Sequence, residues 1–234
     1  MTEVLALTVA RTGSRRFPYK SLGTVGGKTL IRLTADACKG ARTVTRMVFS
    51  TADEPYTREA INAGYELFCR PSETDTSGWE VACYTVQEMD KAGYHPDIVV
   101  MVNACNPFRR PKHIDSVVER YLKGDCRAVM TVSPPEPHPF STWVVGDDGM
   151  LRRPFFDGVQ NFESQPQLAE AYIHDGLAWA SDLKVFLDGN CRPTDRIAFI
   201  PTTDIDDTLD INTEIDLKLA QFMWEKRQME AKVA

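Results

Sequence analysis

The chain has 234 residues, of which 43% are hydrophobic and 26% charged, with a formal net charge of −6. That balance excludes a general nucleic-acid binder, which needs a basic surface, and no run of about 18 apolar residues is present to form a transmembrane helix. The six cysteines (Cys38, Cys69, Cys83, Cys105, Cys126 and Cys191) are scattered with no CxxC pair. This argues against a zinc site and a disulfide framework; with no leader-like pattern at the start, the expectation is a reduced cytoplasmic protein.

The apolar run Val4 to Ala10 predicts a buried first strand. It stops at a short loop of small and basic residues: Arg11, Gly13, Ser14, Arg15, Arg16, Pro18 and Lys20. Small residues let backbone N–H groups approach a phosphate, and four cations neutralise its charge. The spacing is neither that of a Walker A loop nor that of a GxGxxG dinucleotide fingerprint.

After Gly26 and Gly27, the apolar positions Leu30, Ile31, Leu33, Ala35 and Ala37 predict a helix that stops at Gly40. Arg46 to Ser50 predicts a strand. A helix then opens at residues 50–53, runs through Ala63 and is capped by Gly64. Tyr65 to Phe68 predicts a third strand, and the βαβαβ order implies a parallel sheet with helices on both faces. Arg70, Pro71 and a polar loop precede a helix from Trp79 to Ala92. Asp97 to Val102 reads as a central parallel strand, apolar after its first residue. Next come the loop Asn103 to Pro111, a helix from His113 to Lys123 and a strand from Arg127 to Ser133.

Residues 134–170 depart from this rhythm. The stretch PPEPHPF is incompatible with a central strand, and Ser141 to Val145 with Leu151 to Phe156 flank GDDG, a hairpin signal. This excursion reads as a surface flap or as an arm covering a pocket and a second subunit. Tyr172 to Ala180 and Ile197 to Ile200 return to strand character. A final helix runs to about Glu230, with Thr213 and Asp216 at the spacing of a capping box.

The run ARTGSRRFPYK, Ala10 to Lys20, resembles the A-R-x-G-S-x-R-x-P-x-K signature of the sugar-acid cytidylyltransferases, which activate sialic acid and 3-deoxy-manno-octulosonate with CTP. Further similar segments follow in order: VFSTAD (Val48 to Asp53), RPSE (Arg70 to Glu73), DTS (Asp75 to Ser77), MVNACNPFR (Met101 to Arg109), Asp175 with Gly176, and DINTEIDL (Asp210 to Leu217). Within that group the chain resembles the acylneuraminate cytidylyltransferases.

The resemblance implies one α/β domain over residues 1–234. Its fold is a doubly wound, mostly parallel, Rossmann-like sheet of the nucleotide-diphospho-sugar transferase kind, with 134–170 as a small β excursion serving as dimer arm. It implies transfer of CMP from CTP to a small acidic acceptor with release of pyrophosphate, by a cytoplasmic homodimer with no membrane or nucleic-acid partner.

Arg11, Lys20 and Asp210 are then the catalytic residues. Ala10, Arg11, Gly13, Ser14, Arg15, Lys20, Arg70, Asp75, Thr76 and Ser77 hold the nucleotide. Asp210 and Asn212 hold Mg²⁺, with Asn212 standing where the family has a second Asp, and Asp204, Asp206 and Asp207 lie close by to compensate. Asn103, Asn106, Arg109 and His174 face the acceptor. The family's acceptor-side Lys falls on Ser141 and its Arg near Gln165, so the acid is a sialic-acid-like 2-keto sugar acid, an octulosonate, or a small phosphonate such as phosphonoformate. A glycosyltransferase of the same fold is one alternative, although residues 103–109 lack the Asp of a DxD motif. A non-catalytic nucleotide-binding homologue is the other.

Overall fold

The computed structural model describes residues 2–10, 16–72, 77–154, 169–188 and 195–233. Seven strands form the central sheet: β1 (Val4–Val9), β4 (Arg46–Thr51), β5 (Glu66–Cys69), β6 (Ile98–Met101), β7 (Ala128–Ser133), β10 (Ile173–Asp182) and β11 (Ile197–Pro201). Their order across the sheet is β11-β7-β10-β6-β1-β4-β5. β10 runs antiparallel to both its neighbours, β6 and β7, and every other pairing is parallel. All four residues of β6 are buried, as are the first five of β1, because helices cover both faces of this central pair.

The alternation along β1 divides the core. Val4 and Ala6 face α1 (Leu30–Gly40) and α4 (Pro111–Tyr121), packing with Ala37, Cys38, Ile114 and Val117. Leu5 and Leu7 face α3 (Gly78–Lys91) and the short α5 (Leu183–Leu187), packing with Ala82, Val86 and Phe186. Between β4 and β5, α2 (Glu54–Asn62) lies on the α1 side, where Tyr56 and Ala60 meet Ile31, Ala35 and Phe49.

The sequence-predicted elements of the central sheet and its helices occur within about three residues of their expected positions, whereas the hairpin arm expected over Leu151 to Phe156 is strand only at Leu151–Arg152 and its last two residues lie outside the described residues. Neither α5 nor a two-stranded ribbon, β2 (Thr24–Val25) with β3 (Lys28–Thr29), was expected. The ribbon turns on Gly26 and Gly27, whose φ values of 59° and 76° suit a tight hairpin. It supports α6 (Glu214–Val233): Gln221 Nε2 donates to the Thr24 carbonyl at 2.9 Å, and Leu217, Ala220 and Trp224 join Val25, Leu30 and Phe108 in a separate apolar cluster. A Cβ on Gly26 would stand 2.1 Å from Trp224 Cε2. Gly26→Ala is therefore expected to cost about 3 kcal/mol through overlap and positive-φ strain, lowering Tm by roughly 6–12 °C in a chain this long. A thermal melt checks it, and an unchanged Tm would mean that α6 does not pack on this ribbon.

The excursion holds two two-residue strands, β8 (Val144–Val145) and β9 (Leu151–Arg152), whose residues are all exposed. Cys83 on α3 is disulfide-bonded, which corrects the expectation of fully reduced cysteines; Cys38, Cys69, Cys105 and Cys126 are free thiols. The scattered spacing hid the bond because a disulfide needs nearness in the fold, not in the chain. Among the described residues no helix is long and apolar enough to cross a membrane.

Candidate active site

In an open parallel sheet, ligands bind beyond the carboxyl ends of the strands, where the connections diverge. Here that edge gathers the ends of β1, β4, β5 and β6, and, because β10 is reversed, the beginning of β10. The nucleotide side starts at Ala10, whose amide donates to the Ser50 carbonyl at 3.1 Å and whose carbonyl accepts from the buried Arg70 guanidinium at 3.2 Å. Arg11, Gly13, Ser14, Arg15, Asp75 and Thr76 lie outside the described residues. Ser77 N-caps α3: its hydroxyl accepts from the Glu80 amide at 3.2 Å while its own amide donates to Glu80 Oε2 at 3.0 Å.

The chain returns from its basic loop through a left-handed Tyr19, φ 57°, into a single 3-10 turn at Lys20–Leu22. That turn delivers Lys20 to the loop before α6. Lys20 Nζ donates to Asn212 Oδ1 at 3.2 Å, and Arg16 reaches the same oxygen at 3.4 Å. Asn212 Nδ2 donates to Asp210 Oδ2 at 2.7 Å. One amide thus links two cations on its oxygen side to the exposed Asp210 carboxylate on its nitrogen side.

The loop is fixed from behind. Asp216 accepts from the Asn212 and Thr213 amides at 2.9 and 2.7 Å, and its own amide donates to the Thr213 hydroxyl at 3.3 Å. This is the capping box expected at the start of the helix, with Asp serving where Glu is usual. Burial pushes the Asp216 carboxyl up, but these donors outweigh it and hold the group below its ordinary value. Ile211 donates its amide to the Cys105 carbonyl at 2.9 Å, tying the loop to the end of β6. The Cys105 thiol lies within the field of Lys20 and Asp210; burial pushes its pKa up, and Lys20 opposes that.

The acceptor-side residues occupy different environments. Asn103 is exposed. Asn106 is buried and donates to the carbonyls of Asp175 and Leu209 at 3.2 and 3.4 Å. Arg109 was expected to face the acceptor, but its guanidinium is consumed inside the protein. It donates to the carbonyls of Leu177 (2.6 Å) and Gly176 (3.0 Å), to the Thr34 hydroxyl (3.2 Å) and to Asn106 Oδ1 (3.1 Å). Such an arginine sets backbone; it does not present charge to a ligand.

The backbone it sets is an irregularity in β10, where the register with β7 shifts between His174 and Trp179. Gly176, φ 79°, sits there, and a Cβ on it would come within 3.1 Å of Asn106 Oδ1 and 3.3 Å of Asn103 Nδ2. Asp175 locks the same bend, accepting from the Leu177 amide and from the hydroxyls of Thr131 and Thr202. The His174 ring stands edge-to-face on Trp179, with 5.8 Å between centroids, and Trp179 in turn meets Trp79 at 4.9 Å.

The three aspartates expected to reinforce the metal site are engaged elsewhere. Arg110 pairs with Asp204 and, through Nε at 2.8 Å, with the fully buried Asp207. Arg227 pairs with Asp207 at 3.2 Å and approaches Asp206 at 3.9 Å. His113 packs on Asp207 at 3.6 Å and accepts from the Arg110 amide at 3.1 Å. Burial pushes its pKa down to about 4, so it remains a neutral wedge at physiological pH. These charges bind α4 to α6 and leave Asp210 as an exposed carboxylate at the open edge. Among the described residues no cluster of three or more His, Cys, Asp or Glu side chains is arranged to hold a metal ion.

A mostly parallel seven-stranded sheet of this order, flanked by helices, is the Rossmann-like fold of the nucleotidyltransferases. Solved cytidylyltransferases share the fold. CMP:2-keto-3-deoxy-manno-octonic acid synthetase complexed with CTP superposes with a TM-score of 0.72 at 16% identity, covering 97% of this chain and all of that one. A family model described as Cytidylyltransferase matches residues 5–136, and the chain belongs to that family. It is 27% identical to CMP-N,N'-diacetyllegionaminic acid synthase of Legionella pneumophila, over 96% of this chain and 97% of that protein. It is 30% identical to 3-deoxy-manno-octulosonate cytidylyltransferase of Anaeromyxobacter sp. strain K, over 50% of this chain and 47% of that protein.

Proposed function

We propose that the protein transfers CMP from CTP to a nine-carbon 2-keto sugar acid, releasing pyrophosphate. The observation that carries this reading is the contact from Lys20 through Asn212 to Asp210. It joins the phosphate-type loop after β1 to a carboxylate in the loop before α6. Full-length similarity to a legionaminic acid synthase favours a nonulosonate over an octulosonate or a phosphonate.

In the reaction an acceptor hydroxyl loses its proton to solvent, its oxygen bonds to the α-phosphorus, and the bond from that phosphorus to the bridging oxygen of pyrophosphate breaks. Lys20 and Arg16 neutralise the triphosphate charge as it shifts toward the leaving group. Arg70 fixes the end of β1 through the Ala10 carbonyl and so sets one wall of the nucleotide pocket. Asn103 and the Gly176 backbone line the acceptor side, with Arg109 and Asn106 as positioning residues behind them.

The donor set fits Mg²⁺. This ion accepts one or two carboxylates and completes its shell with phosphate oxygens and water, and Asp210 is an exposed carboxylate beside the triphosphate cations. Asn212 would add its amide oxygen or, as in this structure, bridge Lys20 to Asp210. When bound, the ion supplies charge neutralisation on the triphosphate. The exposed residues of β8 and β9 support a homodimer arm.

The test is pyrophosphate release from CTP and Mg²⁺ with N-acetylneuraminate, a di-N-acetylated nonulosonate, an octulosonate and phosphonoformate. Release with a nonulosonate alone is the expected result. Release with phosphonoformate alone would overturn the sugar-acid reading, and silence with bound CTP would overturn catalysis.

A further inference from the structure

The inner face of α6 is explained by the ribbon beneath it, but its outer face is not. Ile215, Leu219, Phe222 and Met229 are 76%, 45%, 63% and 66% exposed. Their spacing, with Lys226 included, is 4-3-4-3, the repeat that keeps one stripe along a helix facing a partner helix. The opposite stripe, Leu217, Ala220 and Trp224, is already packed on the protein. A helix that is apolar on two opposing faces is ordinarily covered on both.

We propose that this outer face pairs with the same face of a second copy of the chain, antiparallel, with Leu219 of one copy against Phe222 of the other. The flanking charges choose this arrangement. In it Lys218 of each copy lies beside Glu225 of the other, giving two opposite-charge pairs. A parallel pairing would set Glu225 against Glu230 twice. The longer antiparallel overlap, one heptad further along, would set Glu225 against Glu225 and Lys218 against Lys232. Lys226, in the seam, carries its stem over Ile215 of the other copy and its ammonium into water, and a lone polar residue in such a seam fixes register. Within one chain Lys218 pairs instead with Glu214, at 2.9 Å. Lys218 and Glu225 are seven residues apart and do not meet within one chain.

The surface is separate from the β8–β9 arm, so it adds a mass step to whatever the arm forms. With about four helical turns of overlap it is small, and a dissociation constant on the order of 10 µM is expected.

Sedimentation of the full chain over roughly 1–200 µM, spanning that constant, is the test. The weight-average mass is expected to rise about 1.6-fold across the range. Phe222→Glu is expected to weaken the association at least about 30-fold, from the loss of one buried aromatic side chain on each copy. Lys218→Glu and Glu225→Lys are each expected to weaken it about 5-fold, and the double variant to return within about 2-fold of the parent. Lys218→Glu also places a carboxylate one turn from Glu214, and the second substitution does not relieve that contact, so restoration has to come from the other copy. A mass independent of concentration, or a double variant no tighter than the singles, would overturn the proposal. Neither charge touches the active site or the core, so CTP turnover is expected to stay at the parent value in both charge variants and the melting temperature within about 4 °C of it, the loss of the Lys218–Glu214 pair included.

Discussion

Lys20→Ala is expected to lower kcat/KM for CTP by about 10²–10³-fold, the usual cost of removing one preorganised donor from a developing oxyanion. Lys20 is half-buried, its ammonium points to Asn212 Oδ1, and it has no part in the apolar clusters. The fold should therefore survive, with Tm within about 2 °C of the parent, as for surface substitutions. Lys20→Arg is not expected to rescue, because a planar guanidinium on a longer stem leaving the same 3-10 turn cannot place its charge at the same point. Separating kcat from KM decides the role. An equal fall in kcat and kcat/KM means that the ammonium acts on the transition state, whereas a rise in KM alone means that it only holds the nucleotide. Near-parental turnover would remove Lys20 from the site.

Asp210→Ala is expected to lower turnover by a comparable factor, about 10³-fold, and to raise the Mg²⁺ concentration needed for half-maximal rate. The companion Asn212→Asp is the sharper probe. In the parent, Asn212 Nδ2 donates to Asp210 Oδ2 at 2.7 Å. An aspartate there replaces that bond with two like charges at contact distance, relieved only partly by Lys20 and Arg16. Asn212→Asp is expected to melt lower than the parent in chelator and to regain more stability than the parent on adding Mg²⁺, since a ligand bound only by the folded state stabilises it. Equal Mg²⁺ responses in the two proteins would show that no divalent ion binds at this pair.

The parts of the fold that could be read from the residues are those whose signal is local. β1 and β6 carry uninterrupted apolar runs because both faces are covered, and Thr213 with Asp216 predicts the start of α6 by spacing alone. The ribbon could not be read, because two-residue strands have no periodicity and its purpose, to seat Trp224 over Gly26, lies two hundred residues away. Arg109 illustrates a second limit. A cation after a central strand looks the same in sequence whether it faces a ligand or four internal acceptors, and only the bend at Gly176 tells which. Asp204 to Asp207 mislead in the same way. Their acidic run suggested metal ligation, while their partners, Arg110 and Arg227, come from α4 and α6. Lys20 and Asp210, by contrast, were assigned to one site only by the resemblance of their motifs to a family, and in the fold Asn212 lies between them.

The contact between Lys20 and Asn212 spans 192 positions, and that between Gln221 and Thr24 spans 197. Chain elongation is slow compared with the collapse of a helix onto a strand. The units around β1, β4 and β5 can therefore pack during synthesis, while Lys20 waits, its partner Asn212 not yet made. The edge becomes competent only when residues 205–227 emerge and dock on the ribbon. Long-range closure of this kind carries a large loop entropy. A nascent or prematurely terminated chain thus displays Lys20 and Arg16 without the Asn212 and Asp210 that they meet in the finished fold.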